Sequence, residues 1–204
     1  MAKLDSLRRS SLIELVVIVA IAVFLALAVQ AYAVKPYRIP SGSMEPTLDV
    51  GQRVLVQRVT RRLGSDPKIG DIVVFHPPAG ADSSPARCGA PVVEGRSCSA
   101  PTTGRSDQTF IKRVVAVGGD TITVKDGLLV RNGRTQPAPY AADCGGGGAC
   151  DLPQPIVVPK GDVFLMGDNR GSSDDSRFWG PLPVNRIIGR AFATYWPLSR
   201  IGGV

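Results

Sequence analysis

Phe110-Ile111-Lys112-Arg113-Val114-Val115-Ala116-Val117 decides the fold class, because it is an apolar, valine-rich run of strand length interrupted only by two adjacent cations. Such a run suits a half-buried extended strand. A period of two places Lys112 on the face shared by Phe110 and Val114. If that face points inward, loss of hydration disfavours the ammonium form and leaves an amine able to take a proton; if it points outward, Lys112 is an ordinary solvated lysine. Alternation alone leaves both readings open.

Working outward, short apolar or alternating runs recur at Gln52–Val59, Asp71–Phe75, Thr121–Val124, Leu128–Val130, Asp162–Met166 and Ile187–Tyr195, each bounded by turn residues. Asp126-Gly127 separates two of them as a tight hairpin would, and Asn132-Gly133 marks the next turn. The pattern predicts an all-β fold, an antiparallel sheet or partly open barrel, over residues 35–204. Two stretches, 77–108 and 135–159, are rich in Pro, Gly, Ser and Ala and read as surface excursions. Each holds one local cysteine pair, Cys88 with Cys98 and Cys144 with Cys150, which suggests two disulfides in an oxidising compartment. With His76 the only histidine, these spacings do not make a zinc site, and no metal is expected.

Upstream, Leu12 to Val34 carry only Glu14, Gln30 and Tyr32 as polar interruptions. A helical run of that length would cross a hydrocarbon core of about 30 Å. It predicts one transmembrane helix over residues 12–34. Lys3, Arg8 and Arg9 outweigh Asp5, which predicts a cytoplasmic N-terminus over residues 1–11 and an extracytoplasmic domain beyond the span. A removable secretory signal ending at Ala31-Tyr32-Ala33 is the rival. The formal net charge of +7 is spread along the chain without a nucleic-acid module. An anionic bilayer surface is the expected partner, and nucleic acid is not.

Three segments carry candidate chemistry. Glycine and two prolines around Ser43, in Ile39-Pro40-Ser41-Gly42-Ser43-Met44-Glu45-Pro46-Thr47-Leu48, favour a turn that fixes one hydroxyl and brings that of Ser41 close. The turn is a nucleophile and helper, or a plain polar turn. His76 begins a loop and reads as a surface residue, which leaves Lys112 as the base to consider. Gly167 to Arg177 is a solvated loop, or a rigid scaffold in which Arg and Asp side chains pair.

Taken in order, Pro40–Leu48, Gly70–Phe75, Ile111–Asp120 and Gly167–Arg177 resemble type I signal peptidases, the membrane-anchored serine proteases that remove signal peptides from exported proteins. The resemblance covers the N-terminal span and most of the β domain, leaving out chiefly the two cysteine-bearing excursions. It implies Ser43 as nucleophile, Lys112 as neutral general base, and the Ser41 hydroxyl with the Ser43 N–H as oxyanion hole. It implies Ser173 as the hydroxyl that orients the lysine amine, Asp175 and Arg177 as a supporting ion pair, and Asp168 and Arg170 in the same framework. Ile39, Pro40, Met44, Leu48, Phe110 and Ile111 become pocket residues for alanine-like side chains, a role that competes with core packing for each. Gly171 and Ser172 depart from the Asp and Asn usual in the family. No cofactor is implied, and the implied partners are signal-peptide-bearing preproteins, the lipid bilayer and a nearby secretion translocon. A self-cleaving Ser-Lys regulator would carry a nucleic-acid module, and a noncatalytic anchored β domain would need neither Ser43 nor Lys112.

Overall fold

A computed structural model describes residues 13–27, 33–58 and 66–204. Among the described residues twelve strands run in chain order: β1 (Val34–Arg38), β2 (Arg53–Gln57), β3 (Ile72–Phe75), β4 (Phe110–Val117), β5 (Thr121–Lys125), β6 (Leu128–Arg131), β7 (Arg134–Thr135), β8 (Leu152–Val157), β9 (Asp162–Met166), β10 (Leu182–Pro183), β11 (Ile187–Trp196) and β12 (Gly202–Gly203). The larger sheet has the order β1-β2-β11-β3-β4-β9-β10, with β12 added to β11. Every pairing in it is antiparallel. Its end strands β1 and β10 are not neighbours, so the sheet curls without closing, as the sequence pattern predicts.

Strand β4 lies inside this sheet, with Val73 of β3 opposite Lys112 and Met166 of β9 opposite Arg113. Both of its faces are covered. Ile111 packs with Ile39, Met44 and Leu48, Val114 with Phe75 and Trp179, and Val115 and Ala116 with Ile122 and Phe164. Because both faces are covered, Val114, Val115 and Ala116 are buried in succession, and a bulge between Val114 and Ala116 shifts the register against β9. Each large side chain enclosed here contributes roughly 1.5–3 kcal/mol by leaving water.

The smaller sheet, β7-β6-β5-β8, stacks its apolar face on β9 and the end of β4. Asp126 and Gly127 join β5 to β6 with φ of 50° and 72°, the left-handed pair of a two-residue hairpin. Asn132 and Gly133 repeat the device between β6 and β7. Strand β8 falls inside the 135–159 stretch read as an excursion. Its Leu152 and Ile156 are buried against β5, but Pro153 and Pro155 obscure the alternation, and only an edge strand tolerates them. Both expected cysteine pairs are bonded, Cys88 to Cys98 and Cys144 to Cys150.

The expected transmembrane helix is overturned. Residues 13–27 lie in a helix, α1. Among the described residues no helix is long and apolar enough to cross a membrane. The C-terminal end of the expected span is not helical, since Val34 opens β1 opposite Gln57. Residues 1–12 and 28–32, with the small-x-small residues Ala31 and Tyr32, lie outside the described residues. The single-pass cell-membrane location, its sidedness and the membrane-bound form of the function fall with that helix.

Candidate active site

The Ser43 turn is pinned by the apolar residues around it. Gly42–Met44 form a single 3-10 turn closed by the Glu45 N–H on the Gly42 carbonyl at 3.1 Å. Met44 and Leu48, fully buried, drop into the core beside Ile39. That anchoring holds Ser43, only 8% exposed, toward β4. There Lys112 Nζ lies 2.5 Å from Ser43 Oγ.

Lys112 is 4% exposed. Burial pushes its amine down to about 8, against the upward pull of the Asp175, Asp174 and Asp168 carboxylates. The strand register therefore answers the question that alternation left open, since this lysine faces inward. Ser41 Oγ is 3.4 Å from Ser43 Oγ, at the exposed rim. His76 lies apart, with Nδ1 3.1 Å from the Gln108 carbonyl.

Behind the dyad the 167–177 loop is a hydrogen-bonded block. Asp175 caps the short helix α2 (Ser176–Trp179) and accepts from the Gly167 N–H at 3.0 Å. Arg177 grips the same carboxylate through Nε at 2.8 Å and through its Nη2 at 2.9 Å, and both residues are buried. Burial alone would raise the Asp175 carboxyl, but the Arg177 charge and these hydrogen bonds hold it below the usual range. The remaining Arg177 donors reach the carbonyls of Arg170, Ser173 and Ala149. The Ala149 bond ties the second disulfide loop to the block.

Asp168, placed in the same framework as expected of it, pairs with Arg113, through Nε at 2.9 Å and Nη2 at 2.6 Å, and accepts from Thr47 Oγ1 at 2.5 Å; Arg170 bonds the Gly167 and Gly127 carbonyls. Ser173 Oγ is buried without a hydrogen-bond partner, so the orienting contact to Lys112 is not formed. Of the six expected pocket residues, Pro40, Phe110 and Ile111 line a cleft of about 410 Å³ together with Ser41, Ser43 and Lys112. Ile39, Met44 and Leu48 belong to the core because they anchor the turn from beneath.

The sequence reading also passed over residues that the fold brings in. Ala81, Asp82 and Gln108 of the first excursion line the cleft, as do Thr109, Ser172 and Asp174. Arg113 and Thr47 tie β4 and the serine turn to Asp168, and Tyr140 stacks on the Arg113 guanidinium, 4.0 Å from the ring centroid. Arg113 adjoins Lys112 and Thr47 closes the serine turn, so proximity in sequence was their one signal; the excursion residues carried none. The Gly171 departure has a steric reason. A Cβ there would stand 2.6 Å from the Cys144 carbonyl oxygen, so the second disulfide loop occupies the space an aspartate side chain needs.

Residues 12–196 match the family model described as "Signal peptidase, peptidase S26". The chain is 37% identical to a probable signal peptidase I-1 of Synechocystis over 93% of its length and 85% of the relative's. It is 33% identical to signal peptidase I of Leptolyngbya laminosa over 95% of its length and 84% of that protein's. Against signal peptidase I of Mycobacterium tuberculosis the identity is 36%, over 97% of this chain and 76% of the relative. With the family model spanning nearly the whole β domain, and a serine and a buried lysine meeting in its cleft, the chain belongs to the signal peptidase family S26, as a serine endopeptidase of the signal peptidase I type.

Proposed function

We propose that the chain cleaves N-terminal signal peptides from preproteins after small residues, of the Ala-x-Ala type, with Ser43 as nucleophile and neutral Lys112 as general base. The observation that carries this reading is the 2.5 Å contact between Lys112 Nζ and Ser43 Oγ, where burial pushes the amine down. A buried amine that is neutral for part of the time can take the Ser43 proton as Oγ attacks the scissile carbonyl. The Ser43 N–H and the Ser41 hydroxyl receive the developing oxyanion. Lys112 then passes the proton to the leaving amine, and the acyl-enzyme is released by a water that Lys112 deprotonates in turn.

Asp175 and Arg177, with Asp168 and Arg170, hold the loop that backs the lysine. Ser173, whose buried hydroxyl has no other partner, is the group we assign to receive Lys112 once the amine is charged. Pro40, Phe110 and Ile111 form the apolar wall that admits small side chains, and the substrate lies extended along it. Such substrates would bring the enzyme near a secretion translocon.

The test is cleavage of a soluble peptide carrying an Ala-x-Ala site, and of the same peptide with the small residues replaced by phenylalanine. Wild type should cut the first and leave the second, and Ser43→Ala should lose all turnover while keeping its circular dichroism. Turnover retained by Ser43→Ala would dismiss Ser43 as nucleophile.

A further inference from the structure

The Gly42 carbonyl and the Ser43 N–H belong to one peptide unit, a rigid plate with its oxygen and its hydrogen on opposite edges. Whatever holds the oxygen therefore aims the hydrogen. The Glu45 N–H that reaches this oxygen at 3.1 Å is the turn's own bond. The other donor comes from far along the chain: Asn169 Nδ2 donates to the same Gly42 oxygen at 3.1 Å. Asn169 also donates its backbone N–H to the Ser43 carbonyl at 3.2 Å. One residue thus grips the carbonyls on both sides of the nucleophile.

Asn169 is itself fixed. Its carbonyl accepts the Ser172 N–H at 3.1 Å, and its backbone forms a parallel bridge with Ala142 of the second excursion. Its neighbour Asp168 is locked by Arg113 and Thr47. The grip on the Ser43 turn is therefore referred to the rigid 167–177 block.

We propose that Asn169 is a positioning residue for the oxyanion hole, setting the direction and donor strength of the Ser43 N–H by holding the Gly42 and Ser43 carbonyls. The inference rests on the reading of Ser43 given above. A donor on the Gly42 oxygen polarises the shared peptide and strengthens the opposite N–H. The benefit appears only when charge develops on the substrate oxygen, so Asn169 acts on the transition state and leaves ground-state binding alone.

The experiment compares wild type with Asn169→Ala, using the soluble peptide and two inhibitors of one sequence. One inhibitor is a peptide aldehyde, whose carbon takes the Ser43 oxygen and whose oxygen takes the charge while the Ser43 proton moves to Lys112. The other is the matching unreactive peptide amide. Asn169→Ala should lower kcat by roughly ten- to a hundredfold, somewhat less than outright removal of an oxyanion donor. KM and the amide's Ki should stay within about twofold, and aldehyde affinity should fall in parallel with kcat. The acidic limb of the pH profile should not move, because the groups around Lys112 are unchanged. Asn169→Gln, which keeps the amide donor, should recover part of the rate.

An unchanged kcat, or equal weakening of aldehyde and amide, would overturn the inference. Should Asn169→Ala fail to fold, Asn169→Ser carries the same test, since its hydroxyl is too short to reach Gly42. Failure of both to fold assigns Asn169 to stability alone and also overturns it. The underlying reading fails differently, by a wild type that does not cleave or a Ser43→Ala variant that does.

Discussion

Replacing Lys112 with methionine is expected to abolish cleavage and, at neutral pH, to make the protein more stable. Without the amine, Ser43 has no base, and a loss of at least about a thousandfold in kcat follows for a residue that acts as a unit with the nucleophile. The gain in stability comes from the same burial. The lysine amine sits at about 8 in the folded protein, whereas in the unfolded chain it takes its ordinary value near 10.4. The unfolded chain binds more protons between those two values, so stability rises with pH across that window and carries the full penalty below it. That penalty is on the order of 3 kcal/mol, and an apolar side chain of similar length removes it. Chemical denaturation should place Lys112→Met above wild type at pH 7, with the gap closing above pH 10.5. A gap that does not change with pH would show that burial of the charge is not its source.

Asp175→Ala should cost about 3–5 kcal/mol of folding stability, because it leaves the Arg177 guanidinium, 3% exposed, without its carboxylate. The same substitution removes the N-cap of α2 and the acceptor for the Gly167 N–H. In a chain of this size the thermal midpoint should fall by roughly 10 °C. Adding Arg177→Met to Asp175→Ala should recover much of the loss, since the buried charge goes with it. Because the Asp175 carboxyl is held below the usual range, its contribution is present above the ordinary carboxylate value near 3.9 and is lost as pH falls below it. A melting change of only a degree or two in Asp175→Ala would mean that solvent or another group stabilises Arg177.

Much of the sheet was legible because β2, β3, β4, β5, β6, β9 and β11 carry their apolar residues at strand spacing, and the two glycine turns fix the small hairpins. What alternation missed has local causes. Lys112 sits on a strand covered on both faces, where apolar residues are contiguous and a period of two no longer separates inside from outside. Prolines hid β8. The 12–34 span was misjudged because hydropathy reads composition, whereas Val34, the last residue of that span, already belongs to β1. In the site, Ser43, Lys112, Asp175 and Arg177 were legible by their order along the chain. Arg113 as the partner of Asp168 was not, since a bidentate pair between β4 and the 167–177 loop depends on the register of β4 against β9. The role of Ile39, Met44 and Leu48 as anchors under the turn likewise depends on which way a 3-10 turn faces.

The central claim is that a dehydrated Lys112 takes the Ser43 proton, and the pH dependence of kcat/KM with a soluble peptide tests it most directly. The acidic limb should have its midpoint near 8, the value set by burial of the amine, with rate lost as the pH falls through it and the amine becomes charged. Asp174→Asn, which removes one of the carboxylates that favour the ammonium, should move that midpoint downward. A wild-type limb lying among ordinary carboxylates, below about pH 5, and unmoved by Asp174→Asn would contradict the assignment of Lys112 as the base.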